Sequence, residues 1–139
     1  MTSQRLKFGR LAGKFAVCRL AADAPIPAWA TSGVFTSVTR TADELSIVCP
    51  LENVPQEHKP EVPWICFKLE GPFDLLQGGI LASFIDPLAK RGIPIFAIAT
   101  YDTDYVLIRE DFADVALGAL RDAGHELRPR DEARRTLIE

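Results

Sequence analysis

Residues 92–108 read GIPIFAIATYDTDYVLI, two apolar segments joined by a short polar stretch. Residues 93–99 and 104–108 are rich in β-branched and aromatic side chains, which favour strands. The polar residues 100–103 between them predict a tight turn. The stretch is therefore predicted to form a β-hairpin.

Amphipathic helices are predicted on both sides of this hairpin. Apolar residues recur at helical spacing at Ile80, Leu81, Phe84, Ile85 and Leu88, and again at Phe112, Val115, Ala116, Ala119 and Leu120. Gly92 and Gly124 stand where the two helices should end. With strands at 64–69 and 125–128, the order is β-α-β-β-α-β, the ferredoxin-like unit. Its second strand lies at a sheet edge, which accommodates Pro94, while Pro87 should kink the first helix.

The first half of the chain predicts strands and turns but no helix of normal length. The predicted elements are strands at 14–20, 34–39 and 45–49, the last two in a hairpin, and one helical turn at 27–30. Residues 50–63 carry four prolines, which exclude a helix or a central strand and indicate a linker. We therefore divide the chain into an N-terminal lobe with its linker at 1–62, a second domain at 63–128, and a flexible tail at 129–139.

The strands of the second domain carry apolar side chains on both faces. In the first of them, Ile65 and Phe67 alternate with Trp64 and Cys66. Helices cover one face of a ferredoxin-like sheet, and leaving the other in water would forfeit about 25 cal/mol per Å² of apolar area. We expect the N-terminal lobe or a second copy of the chain to cover it.

Composition and charge exclude several functions. The chain has 139 residues and a formal net charge of −3, so it offers no broad basic surface for nucleic acid. No segment approaches the roughly 20 apolar residues that span a bilayer, and residues 1–10 lack the apolar core of a signal peptide. Cys18, Cys49 and Cys66 lie in apolar runs and are predicted to be free thiols in a reducing cytosol. We expect a cytoplasmic protein with neither nucleic-acid nor membrane partners.

The sequence offers little for catalysis. His58 lies in the proline-rich linker, and His125 follows the second helix, where a charged imidazole would be favourable for structural reasons. No cysteine–histidine or histidine–histidine spacing suggests a zinc site, and no nucleotide-binding glycine pattern occurs. We expect no catalytic residue, no metal and no cofactor.

A candidate binding site lies at the start of the first predicted helix. Gly78 and Gly79 lack a Cβ, so a ligand can approach the backbone, and the first N–H groups of a helix favour a carboxylate. Asp102 and Asp104 in the facing turn offer negative charge for an ammonium or guanidinium group. A zwitterionic amino acid requires donors for its carboxylate and negative charge for its ammonium group. A valine at position 79 should block such a site at little cost in stability if Gly79 has an ordinary helical backbone.

Structural roles would explain the same residues. Gly78 and Gly79 are expected equally in a tight loop that leads into a helix. Asp102 and Asp104 are common in turns, where their side chains cap the backbone amides of the turn. Tyr101 and Tyr105 would then only fill the sheet surface.

Several of these segments resemble the amino-acid-binding ACT family. The resemblance is carried by Gly79-Ile80-Leu81-Ala82-Ser83, by Pro87-Leu88-Ala89, and by the run from Gly92 through Thr100-Tyr101-Asp102-Thr103-Asp104-Tyr105. Residues 64–127 resemble most the branch that includes small stand-alone bacterial proteins and the CASTOR arginine sensors, and residues 34–48 resemble its degenerate first repeat. The resemblance implies an α+β fold of tandem ferredoxin-like (βαββαβ) lobes, the first helix-poor and degenerate.

The resemblance also implies a regulatory or sensing role without catalysis. In the arginine-binding repeats the residues matching Thr100, Tyr101, Thr103 and Asp104 line the ligand, and Gly79 with its neighbours Gly78 and Ile80 matches the helix start. With Asp102 from the facing turn, these residues form the candidate site. ACT modules bind amino acids where two modules meet, which implies a homodimer. Two alternatives stay open: an assembly adaptor whose pocket is vestigial, and a sheet that binds single-stranded RNA through exposed aromatics.

Overall fold

The computed structural model describes residues 4–71, 73 and 78–129. These residues form a mixed α+β fold whose strands are β1 (Lys7–Arg10), β2 (Phe15–Leu20), β3 (Ser37–Arg40), β4 (Leu45–Pro50), β5 (Trp64–Leu69), β6 (Phe96–Ala99), β7 (Asp104–Arg109) and β8 (Glu126–Leu127). The helices are α1 (Ile80–Lys90) and α2 (Ala113–Asp122), and 3₁₀ turns cover Ala28–Ala30, Leu51–Asn53, Gln56–His58 and Glu110–Phe112. Neither helix in the described ranges has the length and apolar character needed to cross a membrane.

The second half of the chain follows the predicted order, β5-α1-β6-β7-α2-β8. The predicted hairpin is formed by β6 and β7, whose register places Ala99 opposite Asp104. Among the described strands β6 pairs only with β7, so it is the predicted edge strand, and β7 also pairs with β5. Strand β6 begins at Phe96 and not at Ile93, so Pro94 precedes the strand instead of lying within it.

Strand β1 is absent from the sequence-based prediction and changes the order of the sheet. It pairs antiparallel with β5 and parallel with β8, so Phe8 lies between Leu69 and Leu127. In a ferredoxin-like sheet the last strand would lie beside the first, but here β1 separates β8 from β5. A segment from the predicted N-terminal lobe therefore completes the sheet of the second half.

The N-terminal half is helix-poor, as predicted. Strands β2, β3 and β4 form an antiparallel arrangement in the order β3-β4-β2, and the predicted hairpin of β3 and β4 pairs Val38 with Ile47. Strand β2 joins β5 through one residue pair, Phe15 with Trp64, so the eight strands belong to one sheet. The tandem arrangement of two ferredoxin-like lobes stays a prediction, because within residues 4–63 only 3₁₀ turns accompany the strands.

The chain bends between β1 and β2 while both strands run along β5. Arg10 pairs with Phe67 and Phe15 pairs with Trp64, so residues 11–14 stand opposite only residues 65 and 66. This bulge contains Gly13 at φ +83°, a left-handed conformation that glycine adopts without strain. The bulge lets one continuous segment serve both halves of the sheet.

Both helices pack on one face of the sheet against β1, β5 and β7. Their buried residues are Ile80, Phe84 and Leu88 in α1 and Ala116, Ala119 and Leu120 in α2, which confirms the two predicted apolar stripes. Val115 departs from the prediction, because its side chain is 50% exposed. It lies outside the buried stripe of α2, which consists of Ala116, Ala119 and Leu120. Gly92 and Gly124 follow the helix ends at φ +69° and +93°, as predicted.

The opposite face of the sheet is covered in part by the N-terminal half, as predicted. Phe35 lies over it, with its ring centroid 4.4 Å from that of Tyr105 and 6.1 Å from that of Phe15. Cys66 and Leu107 on this face are fully buried. The contact between Phe35 and Tyr105 therefore joins the two halves across this face of the sheet.

His125 and Pro87 meet at the carbonyl oxygen of Ser83. Pro87 has no N–H, so the Ser83 carbonyl four residues earlier lacks its helical donor. The Nε2 of His125 lies 2.9 Å from that oxygen and donates to it, while Nδ1 accepts the Leu6 N–H at 3.1 Å. In this arrangement Nε2 carries the donated proton and the lone pair of Nδ1 accepts, so both ring nitrogens are engaged with backbone groups.

The contact makes a prediction about stability. His125→Ala should lower the free energy of unfolding by about 2 kcal/mol or more, since the Ser83 carbonyl and the Leu6 N–H each lose a partner at about 1–3 kcal/mol. In a Pro87→Ala background the loss should be smaller, because an alanine at position 87 can supply the missing helical N–H. Urea unfolding of the wild type, both single variants and the double variant measures the difference. An equal cost of His125→Ala in both backgrounds would show that the two residues are not coupled.

Candidate functional site

A cavity of about 250 Å³ lies between the start of α1 and the β6–β7 hairpin. Its walls are formed by Phe73, residues 79–82 and residues 99–104. The structure thereby brings together seven of the eight predicted site residues: Gly79, Ile80, Thr100, Tyr101, Asp102, Thr103 and Asp104. Gly78 does not line the cavity.

The start of α1 presents backbone to the cavity. Gly79 is the N-cap residue, no side chain caps the helix there, and its carbonyl accepts the Ser83 N–H at 3.0 Å. The first N–H groups of a helix have no partner within it, so those of α1 are donors at the cavity wall. Gly79 is in the left-handed region at φ +83°, so the condition of an ordinary helical backbone is not met. A valine there would add strain to any steric block, at about 1–2 kcal/mol for the backbone alone.

The hairpin turn is held by its own threonines. The Thr100 N–H and hydroxyl both donate to the Thr103 carbonyl, at 2.9 and 2.8 Å. The Thr103 side chain is buried and its hydroxyl donates to the Leu69 carbonyl at 2.7 Å. Tyr101 and Asp102 form the tip between them, and Tyr101 is 78% exposed. Both threonine hydroxyl protons are therefore used inside the fold, and a ligand could meet only the oxygen lone pairs.

Asp102 contributes to the cavity mainly through its backbone. Its carbonyl accepts the Phe73 N–H at 2.9 Å, which ties the segment after β5 to the hairpin tip, and its side chain is exposed. Gly71 permits this approach, because a Cβ there would lie 3.0 Å from the Asp102 oxygen and 3.0 Å from the Phe73 nitrogen. This backbone contact differs from the turn role that the sequence left open for Asp102, in which its side chain caps the amides of the turn.

Asp104 has a different environment from Asp102. It is the first residue of β7 and is half-buried, and burial raises the pKa of its carboxyl above the ordinary value. In the described part of the chain no ion pair engages it. A carboxylate partly withdrawn from water and without a cation gains from any cation that a ligand brings.

Four cavity residues were not predicted from the sequence. They are Phe73, Leu81, Ala82 and Ala99. Leu81 and Ala82 follow directly from the position of the helix start, and Ala99 from its place opposite Asp104 in the hairpin register. Phe73 had one signal, an aromatic residue in a loop with glycines at both ends. Together with Ile80 these residues give the cavity an apolar wall, and no lysine, arginine or histidine among the described residues lines it.

Family comparisons match both halves of the chain. Residues 61–122 match the ACT domain, and residues 13–57 match a second family that is described as an N-terminal domain. No curated protein matches the chain.

Two solved structures share the fold. Protein Atu0741 from Agobacterium tumefaciens is 42% identical, with a TM-score of 0.85 over 94% of this chain and 97% of that one. VC0802 from Vibrio cholerae, described as a protein of unknown function and a possible transport protein, is 21% identical, with a TM-score of 0.67 over 86% of this chain and 90% of that one. The second likeness shows the fold alone. With an ACT domain at residues 61–122 and this identity to Atu0741 along nearly its whole length, the chain is an ACT-domain protein and belongs to the same family as Atu0741.

Proposed function

We propose that this protein binds an amino acid, or a zwitterion of similar size, between the start of α1 and the β6–β7 hairpin, and that it is a regulator without catalytic activity. One observation carries the proposal: the helix-start donors and the Asp104 carboxylate lie on walls of the same cavity. ACT domains bind small-molecule ligands, and the resemblance to the arginine-sensor repeats supports an amino acid as the class.

The size of the cavity supports a small ligand. Pockets for drug-sized molecules hold about 300–1,000 Å³, and this cavity of about 250 Å³ lies just below that range. Its apolar wall of Phe73, Ile80 and Leu81 suits the carbon atoms of a small ligand, while the polar groups at its ends suit the two charges.

The charged and polar groups of the cavity narrow the class of ligand that it favours. The helix start would hold the ligand carboxylate, with about 0.3–2 kcal/mol from its dipole in addition to the hydrogen bonds. Asp104 would hold the ammonium group through a charge-assisted bond. Because Asp104 lines the cavity and no basic residue is among its described walls, nucleotides and dicarboxylates are poor candidates.

The state of the cysteines and histidines supports a role without catalysis. Burial raises the pKa of the Cys66 thiol to about 12 and that of Cys49 to about 11, and it raises the pKa of Cys18 as well. The thiolate form that a nucleophile needs is therefore scarce. Both ring nitrogens of His125 are engaged with backbone groups. Three free, buried thiols also support a location in the reducing cytoplasm.

The amino-acid proposal predicts a charge-dependent affinity. Titration calorimetry with the twenty common L-amino acids should find at least one that binds the wild type. Asp104→Asn should weaken that binding about tenfold to a hundredfold, since a hydrogen bond to a charged group contributes about 1.5–3 kcal/mol. Asp102→Asn is the matched control and should change the affinity less, because the Asp102 side chain is exposed.

Thermal unfolding of the same variants separates a binding defect from a folding defect. At neutral pH the unliganded Asp104→Asn variant should be at least as stable as the wild type, because a half-buried charge has been removed. Unchanged affinity in a folded Asp104→Asn variant would place the ligand elsewhere, and no binding by any amino acid would refute the proposal.

The raised pKa of Asp104 predicts a pH dependence of binding. The ammonium group favours the ionised carboxylate, so affinity should be level near neutral pH and fall as pH drops through the raised pKa, which lies above the ordinary 3.8. In that pH range ligand binding should release protons, because the bound ammonium group favours the ionised carboxylate. Unfolding should also release protons there, because the carboxyl has a lower pKa in the unfolded chain than in the folded protein. Calorimetry in buffers of different ionisation enthalpy measures the released protons. The residual binding of Asp104→Asn should lack this component, and a wild type that lacks it would contradict the assignment.

We further propose that the protein is a homodimer. The outer edge of β6 faces no other described strand, and Phe96 and Ile98 of this strand, with Tyr105 beside them, are only half-buried. An edge with half-buried apolar side chains favours association. The same surface supports the second candidate function, an assembly adaptor whose cavity is vestigial.

The dimer is tested by sedimentation equilibrium. We expect a species of twice the 15.3 kDa chain mass at micromolar concentration. Ile98→Lys should shift the equilibrium towards the monomer, because it places a charge on the half-buried surface. A monomer at all concentrations would contradict the proposal, and a dimer that binds no small molecule would favour the adaptor.

A further inference from the structure

Ala99 and Asp104 face each other directly across the β6–β7 hairpin. The next pair along, Thr100 and Thr103, is joined by a backbone hydrogen bond of 2.9 Å. Bonded and non-bonded pairs alternate along an antiparallel ladder, so Ala99 and Asp104 occupy a non-bonded pair. Side chains stand closest in such pairs, with Cβ atoms about 4.5–5.5 Å apart. Both residues line the cavity, so Ala99 borders the space in front of the carboxylate.

The small size of residue 99 keeps that space open. On the other face of the same strand stand Phe96 and Ile98, the large residues that strands favour. The face towards the cavity carries only Ala97 and Ala99, both exposed. A side chain that continued beyond Cβ at position 99 would extend beside Asp104 into the place where a cation must sit.

We propose that Ala99 is the specificity-determining residue of this cavity and that it selects α-amino acids with an unsubstituted ammonium group. The inference rests on the proposed function and names the class of ligand more narrowly. The Cβ of Ala99 limits the size of the group that can reach Asp104, so an ammonium nitrogen fits and one that carries a methyl group fits poorly. A single added or missing carbon in a hydrophobic pocket changes affinity by about 10–200-fold, and an exposed residue such as Ala99 should act at the lower end of that range.

Ala97 provides a matched control for Ala99. It lies on the same strand and, at a spacing of two residues, on the same face. It is likewise exposed, but it pairs with Val106 and does not line the cavity. A valine at position 97 and a valine at position 99 therefore differ mainly in their distance from Asp104.

The experiment compares wild type, Ala99→Val, Ala99→Gly, Ala97→Val and Asp104→Asn by titration calorimetry. The probes are the twenty common L-amino acids and the N-methyl form of the one that binds wild type most tightly. Ala99→Val should weaken binding of that amino acid about tenfold or more, and Ala97→Val by less than about twofold. Ala99→Gly should reduce the preference for the amino acid over its N-methyl form by about tenfold, a change that a purely structural role would not produce.

The outcomes distinguish this inference from the function on which it rests. One outcome would reject Ala99 but keep the cavity as the binding site. In it, Ala99→Val has the same melting temperature as Ala97→Val and binds the amino acid within about twofold of the wild-type affinity, while Asp104→Asn has lost affinity. If Ala99→Val does not fold, Ala99→Gly decides, and an unchanged preference against the N-methyl form overturns the inference. If no amino acid binds, or Asp104→Asn binds like wild type, the proposed function itself is wrong.

Discussion

The carbonyl oxygen of Ser83 joins the segments on which the second half of the structure depends. Pro87 removes its helical donor, and His125, next to β8, replaces that donor. The same ring accepts the N–H of Leu6, the residue before β1. One imidazole therefore links α1, β1 and β8 in a buried setting, where an unpaired polar group is costly. A proline that would weaken an isolated helix instead fixes α1 to the sheet.

The start of the same helix forms part of the cavity wall. Gly79 begins α1 in a left-handed conformation one turn before Ser83, and its neighbours form a wall of the cavity. Across the cavity Asp104 is half-buried without an ion pair among the described residues, which disfavours its charged form. Natural proteins keep such local costs mainly where a site needs them.

Much of the second half could be predicted because its signals are local. Helical and strand periodicity identified α1, α2 and the β6–β7 hairpin. The glycines and aspartates identified three of the cavity residues, and the family resemblance added Ile80, Thr100, Tyr101 and Thr103. Other features depend on contacts between distant segments. Strand β1 has four residues, and Lys7, Gly9 and Arg10 among them give no alternation of apolar and polar side chains. Its partner strands β5 and β8 lie far along the chain. The lining residue Phe73 could be identified only from the structure, where its N–H donates to the Asp102 carbonyl at the hairpin tip.

The position of β1 has a consequence for the order in which the protein can fold during synthesis. Strands β2, β3 and β4 neighbour one another and can pair while the ribosome is still making the second half. Phe8 must wait, because its partners Leu69 and Leu127 emerge much later, and contacts at such separations form slowly. Until β8 has left the ribosome, β1 lacks its parallel neighbour and the Leu6 N–H lacks its imidazole acceptor. Phe8, the buried apolar residue of β1, therefore stays without its partners in the nascent chain until β8 has been made.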